Sequence, residues 1–393
     1  MTTLPAVRAI DRSSAESLLA ALIRIPSVNP AYDADSAGEN AIGEAIEQFC
    51  TSIGCIVTRP VVVDGRRNVV ARLASPEPRQ TLLIEAHLDT VGLPPGQQLP
   101  LATVVDGRMR GRGACDVKGG ITGALLALVE LAAEPLRHTD VVLVGAIDEE
   151  YVFRGITHYI ADGDLPGAAV VLEPTSLQVV TEHNGVVRVE IVVRGRAAHT
   201  SRPGEGHNAI VDALELVRRL GAWNSTANAD RGDDEPERIL AVTTITGGTA
   251  INVVPDVCRI RIDLRVRPRD LPAVVLDELR RFLSALSTEG ITAAVDRELL
   301  LDGGMFTSSD AGVVHAAQLA LESHGLPSTP VRVPYGTDGS KLSRVGVPTI
   351  VFGPGSIEQA HGDDEWVELD EVVTSAAVLR DLARRFDEQG RPA

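Results

Sequence analysis

Short runs that are apolar almost throughout, separated by helical stretches, constrain this chain more than any other feature of its sequence. "NVVARLA", "TLLIEA", "DVVLVGAI" and "AAVVLE" have strand length, while "AESLLAALIRI", "GENAIGEAIEQFCTSIG" and "GGITGALLALVELAA" read as helices. A strand with one face in water alternates polar and apolar residues, whereas a strand apolar on both faces needs cover on both. The pattern predicts an α/β domain, a mostly parallel sheet with helices on both faces.

From about Val186 the rhythm changes. "VVRVEIVVRG" reads as strand, "NAIVDALELVRRLGAW" as helix, "RILAVTTITG" and "CRIRIDLRVRP" as strands, "LPAVVLDELRRFLSAL" as helix and "ITAAVDREL" as strand. That order, β-α-β-β-α-β, is the split arrangement of a ferredoxin-like α+β domain. After about Asp302 the first rhythm returns, with "SSDAGVVHAAQLALESHG" as helix, "GVPTIVFGPG" as strand and "DEVVTSAAVLRDLARRFDEQ" as closing helix. The expected organisation is one domain over 1–184 and 300–393 with a second, 185–299, inserted into it. A chain of 393 residues is too long for one ordinary core in any case. The polar stretch "ANADRGDDEPER" reads as a loop of the insert.

Hydrophobic residues make up 44% of the chain but aromatics only 3%, so the cores must be built from Ala, Val, Leu and Ile. A formal charge of −17 opposes any role on nucleic acid, whose phosphates it would repel. "MTTLPAVRAIDRS" has no apolar stretch long enough for a secretory signal, and "ITGALLALVELAA" is short for a membrane span and carries Glu130. Cys50, Cys55, Cys115 and Cys258 show no zinc-knuckle or redox spacing and read as reduced, packed thiols. The expectation is a cytoplasmic protein with neither a membrane nor a nucleic acid as partner.

Ligands of open α/β sheets bind at the carboxyl ends of the strands, and here those ends carry the ionisable residues. "LLIEAHLD" finishes in His87 and Asp89, which share one side of an extended chain because they are two apart. "VVLVGAIDEE" finishes in Asp148, Glu149 and Glu150, and "AVVLEPT" in Glu173. "TIVFGPGSIEQAH" leads through a glycine-rich turn to His361, and "GRGACDVKGG" puts Asp116 on a glycine-rich loop before a helix. Singly, each has a plain structural reading, such as a hydrogen-bonded His–Asp pair, a solvated acidic turn or a helix cap. In succession they form a mixed nitrogen and oxygen donor set suited to Zn²⁺ and its neighbours. A two-metal hydrolase needs one carboxylate between the ions and another left free to take a proton from water. Glu149 and Glu150, pointing opposite ways on extended chain, can divide ligation and base between them.

Taken together, "HLD", "GRGACDVKGG", "DEE", "LEPT", "AAHTSRP" and "AHGDDEW" resemble the co-catalytic zinc metallopeptidases that include acetylornithine deacetylase, succinyl-diaminopimelate desuccinylase, aminoacylase and carboxypeptidase G. The resemblance spans nearly the whole chain and implies that the insert is a lid or dimerisation domain. It implies that Asp116 bridges two metal ions, with His87 and Glu173 on one and Glu150 and His361 on the other. Glu149 would be the general base, and Asp89 would orient His87 and raise its basicity. The Asp116–Val117 peptide bond would be cis. From the insert, His199 in "AAHTSRP" would stabilise the oxyanion in the site of a partner subunit, as in dimeric relatives. Asn252 and Arg265 would hold the substrate's carboxylate, and Thr337 and Asp338 in "YGTDGSKL" would contact substrate. The implied reaction is hydrolysis of an amide by a metal-activated hydroxide, with lid closure over the substrate.

The ligand types accept Zn²⁺, Co²⁺ or Mn²⁺, with zinc the first expectation. The implied substrate is an N-acyl-L-amino acid, or a short peptide if the chain is a dipeptidase or carboxypeptidase of the same family, and the implied assembly is a homodimer through the insert. Two readings of other kinds compete. "GRGACD" superficially suits a dinucleotide-binding loop, but its sixth position is Asp116 where that fingerprint needs a small residue. A non-catalytic amino-acid-binding relative would be expected to have lost ligands or base, whereas every one is retained here.

Overall fold

Strands buried on both faces take helices on both sides in the computed structural model, which describes residues 3–93, 96, 102–163, 165–229, 231–232, 235–362 and 364–389. The chain opens with α1 (Arg12–Ile23), started by Asp11, whose carboxylate accepts from the Ser14 amide at 2.8 Å. There follow α2 (Asn40–Ser52), β1 (Ile56–Thr58), β2 (Val69–Leu73) and β3 (Gln80–His87). Next come α3 (Gly119–Ala133), β4 (Thr139–Ala146), α4 (Arg154–Asp162) and β5 (Ala168–Val171).

The second rhythm gives β6 (Gly185–Arg194), α5 (Ala209–Ala229), β7 (Ile239–Gly247), β8 (Val257–Val266), α6 (Pro272–Leu286) and β9 (Thr292–Asp302). The chain then returns through α7 (Gly312–Ser323), α8 (Gly339–Arg344), β10 (Thr349–Val351) and α9 (Leu369–Gln389). Two compact units result, Met1–Thr181 with Thr307–Arg332 and Thr337–Ala393, and Glu182–Phe306 with Val333–Gly336.

In the first unit the strands lie in the order β1-β2-β4-β3-β5-β10. The central four, β4, β3, β5 and β10, are parallel, and β1, β2 and the short strand Val180–His183 add antiparallel edges. Leu82, Ile84, Val141, Leu143, Ala168 and Val170 share one core with α1, α2, α3, α7 and α9. The alternate positions Leu83, Val142 and Val144 are buried on the other side, and α4 and α8 pack against each other and the sheet. The register pairs His87 with Ala146 and Glu85 with Val171, so three parallel strands end side by side.

The second unit has an antiparallel sheet in the order β7-β8-β6-β9, with α5 and α6 sharing its core. It extends beyond the expected insert because β9 runs to Asp302 and the segment 333–336 joins it. Helix α5 also runs six residues past Trp223, the expected end. Asn224 and Asn228 donate to the Arg238 carbonyl at 3.0 and 2.9 Å, which ties the added turns down. Residues 230 and 233–234 of the expected polar loop lie outside the described residues. Among the described residues no helix is long and apolar enough to cross a membrane, and the four cysteines are buried free thiols.

One buried carboxylate at the start of β4 anchors the sheet edge. Asp140 accepts from the Ser75 amide at 2.7 Å, the Ser75 hydroxyl at 2.9 Å and the Arg72 guanidinium. Against burial, these donors hold its carboxyl below the usual range. Its stabilisation is therefore present above the unfolded value of about 3.9 and is lost as pH falls through the lower folded value. Asp140→Asn should cost about 2–3 kcal/mol at neutral pH. In urea melts the gap to wild type should close below about pH 4; a gap unchanged by acid would exclude the carboxylate charge as its source.

Candidate active site

Asp116 sits where the backbone departs from helix before α3. Residues Ala114–Lys118 form a single wide turn in which Asp116 (φ −119°, ψ 91°) and Val117 are non-helical. The Asp116–Val117 peptide bond is cis, as the resemblance implies. Gly113 enters the turn at φ 81°, and a Cβ there would come within 3.0 Å of the Thr90 and Lys118 side chains.

The turn aims the Asp116 carboxylate at two histidines from distant parts of the first unit. Oδ1 lies 2.8 Å from His87 Nε2, and Oδ2 lies 3.1 Å from His361 Nε2. His361 Nε2 is also 3.1 Å from Glu150 Oε1. His87, Asp116 and Glu150 each place a donor atom within 4.8 Å of the others. Glu173 follows β5 and is buried, and its charge bears on Asp116, His87 and Glu149.

Buried carboxyls crowd this site, and each shifts the ionisation of its neighbours. Burial pushes the Glu149 carboxyl well up, with Asp338, Glu150 and Asp89 adding to it and His87 opposing. Burial and the Asp116 charge do the same to Glu173. Burial opposes protonation of His87, yet the Asp116 hydrogen bond and charge hold it well above an ordinary imidazole. Hydrogen bonds to Asp116 and Glu150 push His361 up to about 10. Asp116 itself, against burial, is held well below the usual carboxylate range by the two histidines. Crowded carboxylates drawing protons onto two imidazoles are the donor chemistry of a site for divalent cations, and the residues fit such ions.

Asp89 is used differently from the sequence expectation. His87 Nδ1 lies 2.9 Å from the Asp89 backbone oxygen, while the Asp89 carboxylate stands 3.8 Å away. That carboxylate instead accepts from the Glu149 and Glu150 amides, both at 3.1 Å, and from Asn29 Nδ2 at 2.7 Å. The turn after β4 puts two backbone N–H groups in front of it, and an ionised acceptor takes them. Asp89 thus orients His87 through its main chain and the Glu149–Glu150 pair through its side chain.

Behind this pair lies a polar network that sequence reasoning missed. Asn29 Nδ2 also donates to Asp148 at 3.1 Å, and Arg66 bridges Asp148, at 3.2 Å, to the buried Glu39. Asp148, left-handed at φ 69°, starts the turn that presents Glu149 and Glu150. Glu85 was also missed, although it lies two residues before His87 and so shares its side of β3. Its carboxyl meets that of Asp338; burial, then the Asp338 charge, pushes Glu85 well up, and burial pushes Asp338 up to about 7.

The expected substrate contacts fall in two places. Thr337 and Asp338 are 0% and 1% exposed. Thr337 Oγ1 accepts from the Gly339 amide at 3.0 Å at the start of α8, while the Asp338 carboxylate makes no cap bond there and is buried toward Glu85. His199, Asn252 and Arg265 belong to the second unit. His199 is exposed with Nδ1 2.8 Å from Ser201 Oγ, Asn252 is exposed, and Arg265 Nε donates to Asp263 at 2.8 Å.

Comparison with known proteins bears on the same residues. The family model of Peptidase family M20/M25/M40 matches residues 83–385. Acetylornithine deacetylase of Myxococcus xanthus is 35% identical over 291 residues, covering 72% of this chain and 74% of the relative. Acetylornithine deacetylase of Yersinia pseudotuberculosis is 28% identical over 390 residues, covering 95% and 97%. A tripeptidase from Staphylococcus aureus shares the fold, with a TM-score of 0.80 at 20% identity over 96% of this chain and 99% of that one. With its carboxylates and histidines gathered at the strand ends, the chain belongs to peptidase family M20/M25/M40 and is a metallohydrolase acting on amide bonds.

Proposed function

We propose that the chain hydrolyses the N-acyl amide bond of an N-acyl-L-amino acid, in the manner of acetylornithine deacetylase or succinyl-diaminopimelate desuccinylase. The observation that carries this reading is the double engagement of Asp116, one oxygen toward His87 and the other toward His361. A carboxylate so placed is suited to lie between two divalent ions, with Glu173 beside His87 and Glu150 beside His361 completing the set. Zinc is the first candidate, and cobalt or manganese would suit the same donors. Ions bound there would supply Lewis-acid polarisation of the amide carbonyl and a lowered pKa for water.

The chain's own residues do the rest. Among the described residues no donor holds the Glu149 carboxylate, while its amide is fixed on Asp89 at 3.1 Å. It is free to take a proton from the attacking water and to return it to the leaving nitrogen. His199 would donate to the developing oxyanion, and Asn252 and Arg265 would hold the substrate carboxylate through a planar fork. Relatives named acetylornithine deacetylase, matching up to 95% of the chain, favour a small N-acyl amino acid over a peptide. The test is a hydrolysis screen of N-acetyl and N-succinyl amino acids against dipeptides, with metal analysis of the same samples. Cleavage confined to the dipeptides would replace this reading with a peptidase one.

A homodimer through the second unit belongs to the same proposal. Its edge strand β7 exposes Ile239, Val242 and Ile245, and α5 exposes Val211 and Leu214, an apolar edge that isolated sheets avoid. Ile239→Lys with Ile245→Lys should turn a dimer into a monomer in sedimentation velocity. Wild type sedimenting as a single chain would remove the dimer.

A further inference from the structure

Four donors converge on one buried carboxylate that neither holds a metal in the proposed site nor faces substrate. Glu365 is 4% exposed. Its Oε1 accepts from the Cys115 amide at 2.9 Å and the Asp116 amide at 3.0 Å. Its Oε2 accepts from the Gly113 amide at 3.0 Å and Arg112 Nη1 at 2.7 Å. A carboxylate has about four lone-pair sites. All four are occupied, so Glu365 has none left for an ion and is excluded as a further ligand.

What these contacts accomplish follows from the turn they grip. Asp116 and Val117 are non-helical, so the amides around them cannot find partners along a helix. Three N–H groups within four residues point to one side, an anion-binding concavity of backbone. Glu365 fills it from a segment 249 residues further along the chain. That segment also carries His361, and Arg112 Nη2 donates to the carbonyl of the next residue, Gly362, at 3.1 Å. The Arg112–Glu365 pair thus joins the loop that aims Asp116 to the loop that presents His361. A buried ion pair adds little to stability compared with apolar packing of the same volume. No apolar pair could satisfy the three amides, so an acceptor is required here, and its two oxygens fix where those amides lie.

We infer that Glu365 is a positioning residue: it sets the turn that aims the Asp116 carboxylate and couples that aim to the placement of His361. The inference deepens the proposed function and rests on it for the activity readout only. Glu365→Gln is the informative change, because one oxygen can still accept from Cys115 and Asp116 while the new amide sets a donor against Gly113 and Arg112.

The test uses the full chain, wild type and the Gln and Ala variants, titrated with Co²⁺ alone against a competing chelator. Hydrogen exchange of residues 111–118 is measured with and without Co²⁺. For Glu365→Gln the expected results are Co²⁺ binding weakened about 10–100-fold, an altered Co²⁺ visible spectrum and faster exchange in 111–118. At saturating Co²⁺, kcat should fall with KM little changed. Unchanged Co²⁺ affinity, spectrum and exchange in a folded Gln or Ala variant would overturn the inference. Should the Ala variant fail to fold, the Gln variant decides. If wild type bound no Co²⁺ or cleaved no amide, the proposed function would fail, and the exchange of 111–118 would still judge Glu365.

Discussion

Replacing Glu149 with glutamine should leave metal content unchanged and lower kcat by about 10²–10⁴-fold. The substitution keeps size and the amide contact to Asp89, which involves only backbone N–H. It removes a carboxylate that no donor engages among the described residues, whereas Glu150 faces His361 at 3.1 Å and Asp148 is held by Asn29 and Arg66. Elemental analysis of the purified variant, beside its turnover of an N-acyl amino acid, is the check. Unimpaired turnover would take the base role from Glu149. A loss of metal with the activity would make it a ligand instead.

Asp116→Asn is expected to act one step earlier, on the ions themselves. The two carboxylate oxygens serve His87 and His361 at 2.8 and 3.1 Å, and an amide offers only one acceptor and no charge. Lewis-acid stabilisation is worth several kcal/mol, so turnover should fall on the order of 10³-fold or more. Bound divalent metal per chain should drop in equilibrium dialysis. A variant with full metal content and wild-type turnover would show that Asp116 does not lie between the ions.

The contrast between these two variants and Glu365→Gln separates three proposed roles: a group that would move a proton, a group that would hold the ions, and a group that would aim the second. Only the first two were legible in the sequence. His87, Asp116, Glu149, Glu150, Glu173 and His361 each stand at an apolar strand's end or on a glycine loop, where chemistry announces itself by being out of place. Glu365 stands in "GDDEW", one acid among several, and nothing local tells it from its exposed neighbour Asp364. Arg66, Glu39 and Asn29 were hidden for the same reason, as their partners lie 27 to 119 residues away. Glu85 alone could have been found beforehand, from the alternation that already linked His87 to Asp89.

Periodicity and strand-end chemistry determined the α/β class, the ferredoxin-like unit and the residues that meet at Asp116, because each is written in spacings of two to four residues. Tertiary structure alone decided which acids meet the two histidines and which serve the backbone. It gave the Asp89 carboxylate to the Glu149 and Glu150 amides, and Glu365 to the turn of Asp116. The physical reason is that a buried N–H must find an acceptor wherever the chain brings one near. Which acceptor arrives depends on contacts across the whole fold, which no local pattern records.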